Sequence, residues 1–419
     1  MKGARALGLV DMVGMGPGWG AGWPARLWTG GAARLLDRID AGLERGSIRA
    51  TLPDGQVRLL GGLAPGFSAE VELRSWRALL RLATSGSAGW YRAWEAGEWD
   101  SPDPVPLFAL FMDNAVSLGE AGRATGPWRW ATRALQWANR NTRAGSRRNI
   151  RAHYDLGNDF YQQWLGPSMI YSSARFAGDA GATLEQAQAV KVAAIAGRLG
   201  VGPGDRVLEI GCGWGTMARM IAEETGASVE AISLSDEQLA FAHAAGPVGR
   251  GQVEFRRQDY RDVAGCYDAI ASVEMVEAVG RRFWPVFLDG IARNLRPGGR
   301  AAIQFISLRA EVFEGYARSA DFIQAYIFPG GMLIHEPQFR ALAEERGLEW
   351  RDRQGFGADY AQTLAAWRRN FDRAVEEGRL PSGFDERFRR LWRYYLMYCE
   401  GGFRGGGIDV AQVTLVKTG

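Results

Sequence analysis

The stretch Val-Leu-Glu-Ile-Gly-Cys-Gly-Trp-Gly at residues 207–215 decides the fold of this chain. Three apolar residues around one acid predict a buried β-strand, and the glycines that follow predict a tight turn. Residues 216–224 favour a helix directly after the turn. Glycine has no Cβ, so the backbone of such a turn can approach a ligand while the N–H groups of the helix face it. The stretch therefore predicts a nucleotide-type binding site.

The spacing of the glycines narrows the identity of the ligand. A glycine-rich turn by itself is also typical of an ordinary chain reversal, and this chain has 56 glycines. Its third glycine comes one residue earlier than in the dinucleotide fingerprint Gly-x-Gly-x-x-Gly. This departure favours a loop that binds S-adenosylmethionine (SAM) over a loop that binds NAD.

The chain after the turn predicts alternating strands and helices. Strands are expected at residues 229–234, 253–256, 267–273, 300–306 and 408–416. Such alternation specifies an α/β fold with a doubly wound, Rossmann-like sheet. Ser233 and Gln238 lie near the end of the second of the sheet's strands, where polar side chains would lie beside a ribose. Asp259 follows the third, where a carboxylate would accept from an adenine amino group.

Length and composition indicate a globular protein of two or three folding units. The chain has 419 residues and a net charge of +3. It has no apolar run of about eighteen residues that would predict a membrane span. Its three cysteines and three histidines show neither a disulfide framework nor the spacing of a metal site, so we expect no metal, and a reducing cytosol fits.

The N-terminal region has its own patterns. Residues 1–30 are rich in glycine, and Asp11 and the scattered glycines leave no continuous apolar core of a signal peptide. We interpret these residues as a flexible lead. Within residues 31–122, a helical apolar pattern precedes a hairpin signal with Pro-Asp-Gly at its centre, and another strand and helix follow. Prolines at positions 102, 104 and 106 predict a break. Residues 31–122 are therefore predicted to form a small α+β domain.

Residues 123–147 form a basic connecting segment. Eight arginines and no acidic residue lie between Ala121 and Tyr154, interleaved with three tryptophans. Such a run is usually a solvated face, but indoles among arginines favour the surface of an anionic membrane. Nucleic acid is the rival partner and is ranked lower, because the net charge is small and no nucleic-acid module is recognisable.

Five motifs, in order along the chain, resemble those of the cyclopropane fatty acyl phospholipid synthases, relatives of the mycolic acid cyclopropane synthases. They are His-Tyr-Asp-Leu-Gly-Asn-Asp-Phe-Tyr at 153–161, the glycine turn, Ser-Val-Glu-Met-Val-Glu-Ala-Val-Gly at 272–280, Tyr-Ile-Phe-Pro-Gly-Gly at 326–331 and Tyr-Tyr-Leu-Met-Tyr-Cys-Glu-Gly-Gly-Phe-Arg at 394–404. The resemblance implies a class I SAM-dependent methyltransferase domain over residues 148–419. It also implies that residues 31–122 are a lipid-binding-like, sterol-carrier-like domain.

The resemblance implies an activity and a set of site residues. In this family a SAM methyl group is transferred to the cis double bond of an unsaturated phospholipid acyl chain, and a bicarbonate ion serves as base when the resulting carbocation closes to a cyclopropane. The implied ligands of bicarbonate are Ser173, Glu277, Gln304, Ile306 through its backbone, and Tyr360. The implied SAM residues are Tyr171, Ser172, Glu209, Gly211, Gly213, Ser233, Gln238 and Asp259.

Two of these positions depart from the family. Ser173 stands where many members have Cys, and Gln304 where many have His. Both can still hydrogen-bond an anion, but a differently placed base would take a proton from a neighbouring chain carbon and give a methylene- or methyl-branched acyl chain, including a furan fatty acid precursor. A third hypothesis is a non-catalytic lipid-binding protein.

The resemblance also indicates partners and location. The expected partner is unsaturated phospholipid in an anionic membrane surface, with the enzyme cytoplasmic and peripherally associated with the inner face of the membrane. No nucleic-acid partner is expected, and a homodimer is left open.

Overall fold

The computed structural model describes residues 24–119, 156–179 and 181–419. The basic connecting segment predicted at 123–147, and most of the lead at 1–30, lie outside these residues. The strands are β1 Ser47–Thr51, β2 Val57–Gly61, β3 Ser68–Leu73, β4 Trp99–Asp100, β5 Arg206–Ile210, β6 Ser228–Ser233, β7 Gln252–Arg257, β8 Tyr267–Val273, β9 Leu295–Leu308, β10 Leu348–Gly355 and β11 Ile408–Lys417. The α-helices are α1 Pro24–Gly42, α2 Arg77–Glu95, α3 Val105–Asp113, α4 Asn158–Gln162, α5 Leu184–Leu199, α6 Thr216–Thr225, α7 Asp236–Ala244, α8 Trp284–Asn294, α9 Ala310–Ala317, α10 Phe322–Tyr326, α11 Glu336–Glu344, α12 Gly357–Glu376 and α13 Glu386–Arg404.

Contacts divide the chain into two compact units that are not continuous in sequence. Unit 1 takes its described residues from Met1–Asn139, Arg309–Pro329 and Ser382–Ile408. Unit 2 takes its described residues from Arg140–Leu308, Gly330–Pro381 and Asp409–Gly419. Residues Arg309–Pro329 and Ser382–Ile408, which lie within the predicted catalytic range 148–419, thus belong to unit 1.

Unit 1 contains the predicted hairpin in a four-stranded sheet. The strand order is β2-β1-β3-β4, with β1 antiparallel to β2 and parallel to β3. Strand β3 alternates exposed and buried residues, as expected of a sheet with one solvated face. The prolines near residue 104 do not end the ordered region, because Val105 begins α3 with Pro106 in its first turn, where a missing N–H is tolerated.

The aromatic segment that follows β9 packs into the core of unit 1. Phe322 on α10 is fully buried, and its ring centroid lies 4.9 Å from that of Tyr91 and 4.8 Å from that of Tyr394. The backbone N–H of Phe322 donates to the hydroxyl of Ser87 at 3.0 Å. These contacts make α10 part of the core of unit 1, since rings at such distances stabilise one another.

Unit 2 is built on a seven-stranded sheet. Its order is β10-β11-β9-β8-β5-β6-β7. Strand β5 is parallel to β6 and β8, β7 to β6, and β9 to β8, whereas β10 and β11 are antiparallel. The predicted doubly wound α/β sheet is therefore confirmed, and only β10 was not anticipated. Strand order reverses between β5 and β8, and ligands bind at the carboxyl ends of strands beside such a switch point.

The described helices were also tested for membrane spans. None of those in residues 24–119, 156–179 and 181–419 is both long enough and apolar enough to cross a membrane.

Candidate active site

The glycine-rich turn after β5 forms one wall of the candidate site. Gly211, Gly213 and Gly215 have φ angles of 87°, 52° and 84°, in a region that glycine adopts far more readily than other residues. A Cβ atom at Gly213 would meet no atom within 4 Å, whereas one at Gly211 would lie 2.8 Å from the Met275 side chain. The backbone at Gly213 is therefore open to a ligand, and α6 begins directly after the turn at Thr216.

Glu209 lies on β5 just before the turn and is 1% exposed. Its Oε2 atom has no hydrogen-bond partner among the described residues. Burial raises the pKa of Glu209 to about 8, while the positive charge of Lys191 and a hydrogen bond from the Ala218 backbone oppose the increase. An unpaired buried carboxylate oxygen is costly. Its position beside the open turn fits a cationic ligand group such as the ammonium of SAM.

Ser233 and Gln238 meet where β6 ends. The hydroxyl of Ser233 donates to Oε1 of Gln238 at 3.1 Å, and the backbone N–H of Ser235 donates to the Ser233 hydroxyl at 3.2 Å. Ser235 caps α7 by accepting from the Gln238 backbone at 3.3 Å. The structure therefore brings these two predicted SAM residues together in one buried hydrogen-bonded group.

Asp259 follows β7 and forms a buried ion pair. Its carboxylate accepts from Nε and Nη2 of Arg261 at 2.8 and 2.6 Å, and from the Arg261 backbone N–H at 3.0 Å. The Arg261 guanidinium also lies over the ring of Tyr260. Asp259 is thus held rigidly at the edge of the sheet, and its contact with adenine stays a prediction.

The carboxylate of Glu274 is the point at which several predicted catalytic residues converge. The Ser173 backbone N–H donates to Oε1 at 2.9 Å, and Nε2 of Gln304 donates to the same oxygen at 2.7 Å. The Tyr360 hydroxyl donates to Oε2 at 2.6 Å. Burial raises the pKa of Glu274, whereas these three hydrogen bonds and the charge of Lys191 lower it.

The other predicted catalytic residues are arranged around a second acid. The backbone N–H of Ile306 donates to Oε1 of Glu277, and Oε2 of Glu277 has no hydrogen-bond partner among the described residues. Burial raises the pKa of Glu277 to about 8, and the negative charge of Glu274 contributes to the increase. The Ser173 hydroxyl donates to the Ala174 carbonyl at 2.9 Å, so this residue reaches Glu274 through its backbone only.

Glu274 is the site residue that sequence reasoning missed. It lies in the quoted motif at 272–280, directly after β8. Its backbone N–H donates to the Gln304 carbonyl at 2.8 Å, which fixes it beside β9. A usable signal was present, because an acid at the carboxyl end of the strand next to the glycine-turn strand faces the switch point of the sheet.

The predicted SAM residue Tyr171 belongs to an aromatic cluster. Its ring centroid lies 5.7 Å from that of Tyr161, 5.4 Å from that of Trp164 and 5.6 Å from that of Trp367. Tyr161 in turn lies 5.0 Å from Trp214 of the glycine turn. The cluster therefore joins Tyr171 to the cofactor wall, and such packing holds the ring in one orientation.

Helix α12 holds the segment that follows Tyr171. The side chain of Asp359 accepts from the backbone N–H groups of Phe176 and Ala177 at 2.8 and 3.2 Å. One turn later, the Thr363 hydroxyl accepts from the Ala174 backbone at 3.1 Å. The helix that carries Tyr360 thus also fixes the loop that carries Tyr171, Ser172 and Ser173.

Comparison with known proteins identifies the family of this chain. The profile of a family described as mycolic acid cyclopropane synthetase matches residues 141–413. A tuberculostearic acid methyltransferase of Mycobacterium tuberculosis is 37% identical over 363 residues, covering 81% of each chain. A cyclopropane-fatty-acyl-phospholipid synthase of Escherichia coli K12 is 32% identical over 362 residues, covering 85% of this chain and 90% of that protein.

Solved structures give the same result. The cyclopropane synthase MmaA2 of Mycobacterium tuberculosis superimposes with a TM-score of 0.60 at 28% identity, over 65% of this chain and 98% of that chain. A mycolic acid cyclopropane synthase complexed with SAH and CTAB superimposes with a TM-score of 0.60 at 29% identity, over the same shares. The class I methyltransferase fold and the resemblance stated from the motifs are confirmed. This chain belongs to the mycolic acid cyclopropane synthetase family and is a SAM-dependent methyltransferase.

Proposed function

We propose that this enzyme methylates the cis double bond of an unsaturated phospholipid acyl chain. We further propose that the carboxylate of Glu274 accepts the proton that the resulting carbocation loses. The observation that carries the proposal is the convergence of Ser173, Gln304 and Tyr360 on this one carboxylate. Three donors hold it in place without consuming its capacity to accept a proton.

SAM, when bound, supplies an electrophilic methyl group. The open backbone at Gly213 and the unpaired oxygen of Glu209 suit its methionine end, and Ser233 with Gln238 suits its ribose. These residues fix the position of the reacting methyl group. Holding two reactants in the right orientation lowers the activation barrier of their reaction.

Methylation leaves a positive charge on the acyl chain. An ionised Glu274 offsets that charge electrostatically, and the ring faces of Tyr171 and Tyr360 are suited to a cation. The raised pKa of Glu274 also suits a general base, because a weak carboxylate base becomes stronger when its protonated form is favoured.

Bicarbonate does not fit the arrangement of these donors. The Ser173 N–H, the Gln304 amide and the Tyr360 hydroxyl already donate to Glu274, and a second anion there would lie beside the carboxyl groups of Glu274 and Glu277. We therefore propose that the carboxylate of Glu274 takes the role predicted for bicarbonate.

The product depends on which carbon carries the positive charge when Glu274 removes the proton. Loss of a proton from the new methyl group closes a cyclopropane ring, and this is the first product proposed. A shift of hydride from the methylated carbon to the neighbouring cationic carbon, followed by loss of a proton from the methyl group, gives a methylene branch, the second candidate. The second candidate is favoured by the name of one relative, a tuberculostearic acid methyltransferase, whereas another relative is named a cyclopropane-fatty-acyl-phospholipid synthase.

The test is expression in a host that lacks such lipids, followed by isomer-resolved analysis of its fatty acids. Ring and methylene products have equal mass, so chromatography against standards or NMR must separate them. We expect a SAM-derived carbon in the acyl chains of cells with the native enzyme. SAM binding with no product on any lipid tested would instead support the lipid-binding protein.

Glu274→Gln and Glu274→Gly test the base. The amide variant should lose turnover by about 100-fold or more, the usual contribution of a positioned base. The glycine variant frees the three donors, so added bicarbonate should restore part of its turnover while leaving the native enzyme unaffected. Asp352→Gly is the matched control, because Asp352 is an exposed acid with a similar φ of 53°. A native enzyme that requires bicarbonate, or a fully active Glu274→Gln, would contradict the assignment.

A further inference from the structure

The buried lysine of α5 is unusual in this chain. Lysine occurs only at Lys2, Lys191 and Lys417, and the other 47 of the 50 basic residues are arginine. Lys191 is 1% exposed. A buried lysine is costly unless its ammonium is paired, and unlike arginine it shifts its pKa readily. A lysine at this position in an arginine-rich chain therefore points to a specific role.

Two side chains of α5 hold one residue of the active-site loop. Nζ of Lys191 donates to the hydroxyl of Ser172 at 2.9 Å. Nε2 of Gln188, three residues earlier on the same helix face, donates to the Ser172 carbonyl at 3.0 Å. Gln188 is also 1% exposed. The peptide that joins Ser172 to Ser173 is thereby fixed, and its N–H group is the one that donates to Glu274 at 2.9 Å.

The ammonium of Lys191 also acts on the acids of both halves of the site. Burial lowers the pKa of Lys191 to about 8, and the charges of Glu274 and then Glu209 oppose the decrease. Glu274 is faced by this ammonium, by the Tyr360 hydroxyl and by the Gln304 amide. Its charge in turn acts on Glu277. The buried ammonium of Lys191 therefore favours ionisation both of Glu209, beside the glycine turn, and of Glu274, the proposed base.

We infer that Gln188 and Lys191 are positioning residues, which fix Ser172 and Ser173 from behind the site, and that the Lys191 ammonium keeps Glu274 ionised for proton removal. The kinetic part of this inference rests on the proposed function. The electrostatic part does not, because it concerns only the titration of groups within the protein.

The electrostatic part is tested by NMR without turnover. The full chain is produced with ¹³C at the lysine ε-carbons, and Lys191→Met assigns one of its three signals. That signal should titrate near pH 8. Glu209→Gln and Glu274→Gln should each move its midpoint to lower pH, because each removes a negative charge that favours the ammonium. A Lys191 signal indifferent to both variants would overturn the inference. If Lys191→Met does not fold, Ser172→Ala assigns the signal by perturbing its hydrogen-bond partner.

The kinetic part is tested with Lys191→Met against Lys417→Met. Lys417 donates from Nζ to the Leu295 carbonyl at 2.7 Å. This bond involves none of the site residues described above, so the Lys417 variant should keep native kinetics. Lys191→Met should lose at least about ten-fold in kcat. The acidic limb of its kcat profile should move to higher pH, because Glu274 without the ammonium protonates more easily.

Gln188→Met separates the two roles of the pair. It removes one hydrogen bond to Ser172 but keeps the ammonium, so kcat should fall while the acidic limb stays in place. A Lys191→Met enzyme with lowered thermal stability but an unmoved acidic limb would leave Lys191 as a purely structural residue and overturn the inference. Absence of any methylated lipid with the native enzyme would contradict the proposed function but leave the NMR result standing.

Discussion

At the scale of single residues, Glu274 adopts a backbone conformation that its side chain disfavours. Its φ is 49°, a left-handed value that costs a non-glycine residue about 1–3 kcal/mol. The cost is offset because its backbone N–H bonds to Gln304 and its carboxylate accepts three hydrogen bonds. Strain of this kind persists where the surroundings fix a residue, and here it places a carboxylate among the donors of Ser173, Gln304 and Tyr360.

A prediction at the same scale concerns Gly213. In Gly213→Val a branched side chain would occupy the open space beside the turn, and the φ of 52° would be strained. We expect loss of SAM binding by calorimetry. Gly204→Val is the matched control, because Gly204 also has a positive φ, of 93°, and a Cβ atom there would meet no atom within 4 Å. Unchanged affinity in folded Gly213→Val would refute the assigned cofactor wall.

At the scale of elements, α12 joins the base side of the site to the cofactor side. It carries Tyr360, which binds Glu274, and Asp359, which holds the loop after Tyr171. The geometry of the loop therefore depends on a helix that lies more than 180 residues later in the chain. No local pattern in either segment specifies this contact.

Asp359→Ala tests this connection. Loss of the acceptor for the Phe176 and Ala177 N–H groups should loosen the loop that carries Tyr171 and Ser172, and hydrogen bonds to a charged group contribute about 1.5–3 kcal/mol each. We expect the Kd for SAM to rise about ten-fold or more. Asp205→Ala, which removes a similar acceptor for the Gly202 N–H at 2.9 Å, should leave the Kd unchanged. Equal SAM affinity in both variants would remove the loop from cofactor binding.

At the scale of the whole molecule, the basic segment at 123–147 and its flank are proposed to bring the enzyme to anionic membranes. A variant with four arginines replaced by Gln should bind phosphatidylglycerol vesicles at least about ten-fold more weakly, and salt should weaken the native enzyme similarly. The replaced residues are Arg140, Arg143, Arg147 and Arg148.

The control for this prediction carries the same loss of charge at other places. Its four Gln residues replace the exposed arginines Arg250, Arg257, Arg296 and Arg318. Both variants lower the net charge from +3 to −1, so a difference in vesicle binding reports placement rather than total charge. Equal binding by the two variants would leave the basic segment as ordinary solvated surface.

The sequence by itself determined the features that depend on local pattern. The glycine turn, the strands around it and the N-terminal hairpin follow from apolar periodicity and from the backbone freedom of glycine, which act over a few residues. Ser233 and Gln238 were predictable for the same reason, because the end of a strand and the cap of the next helix lie close in sequence. Family motifs added the cofactor and the class of reaction.

Only the tertiary structure decided which groups meet. Glu277 was expected to share its anion with Ser173, Gln304 and Tyr360, yet these three donate to Glu274, which lies three residues earlier. Residues 309–329 and 382–408 belong to unit 1 although the family motifs predict a catalytic domain over the whole of 148–419. The hydrogen bond from Lys191 to Ser172 could not be predicted from the sequence either. Such contacts depend on strand order and on helices distant in sequence, and the pattern of a segment encodes its own conformation but not its neighbours.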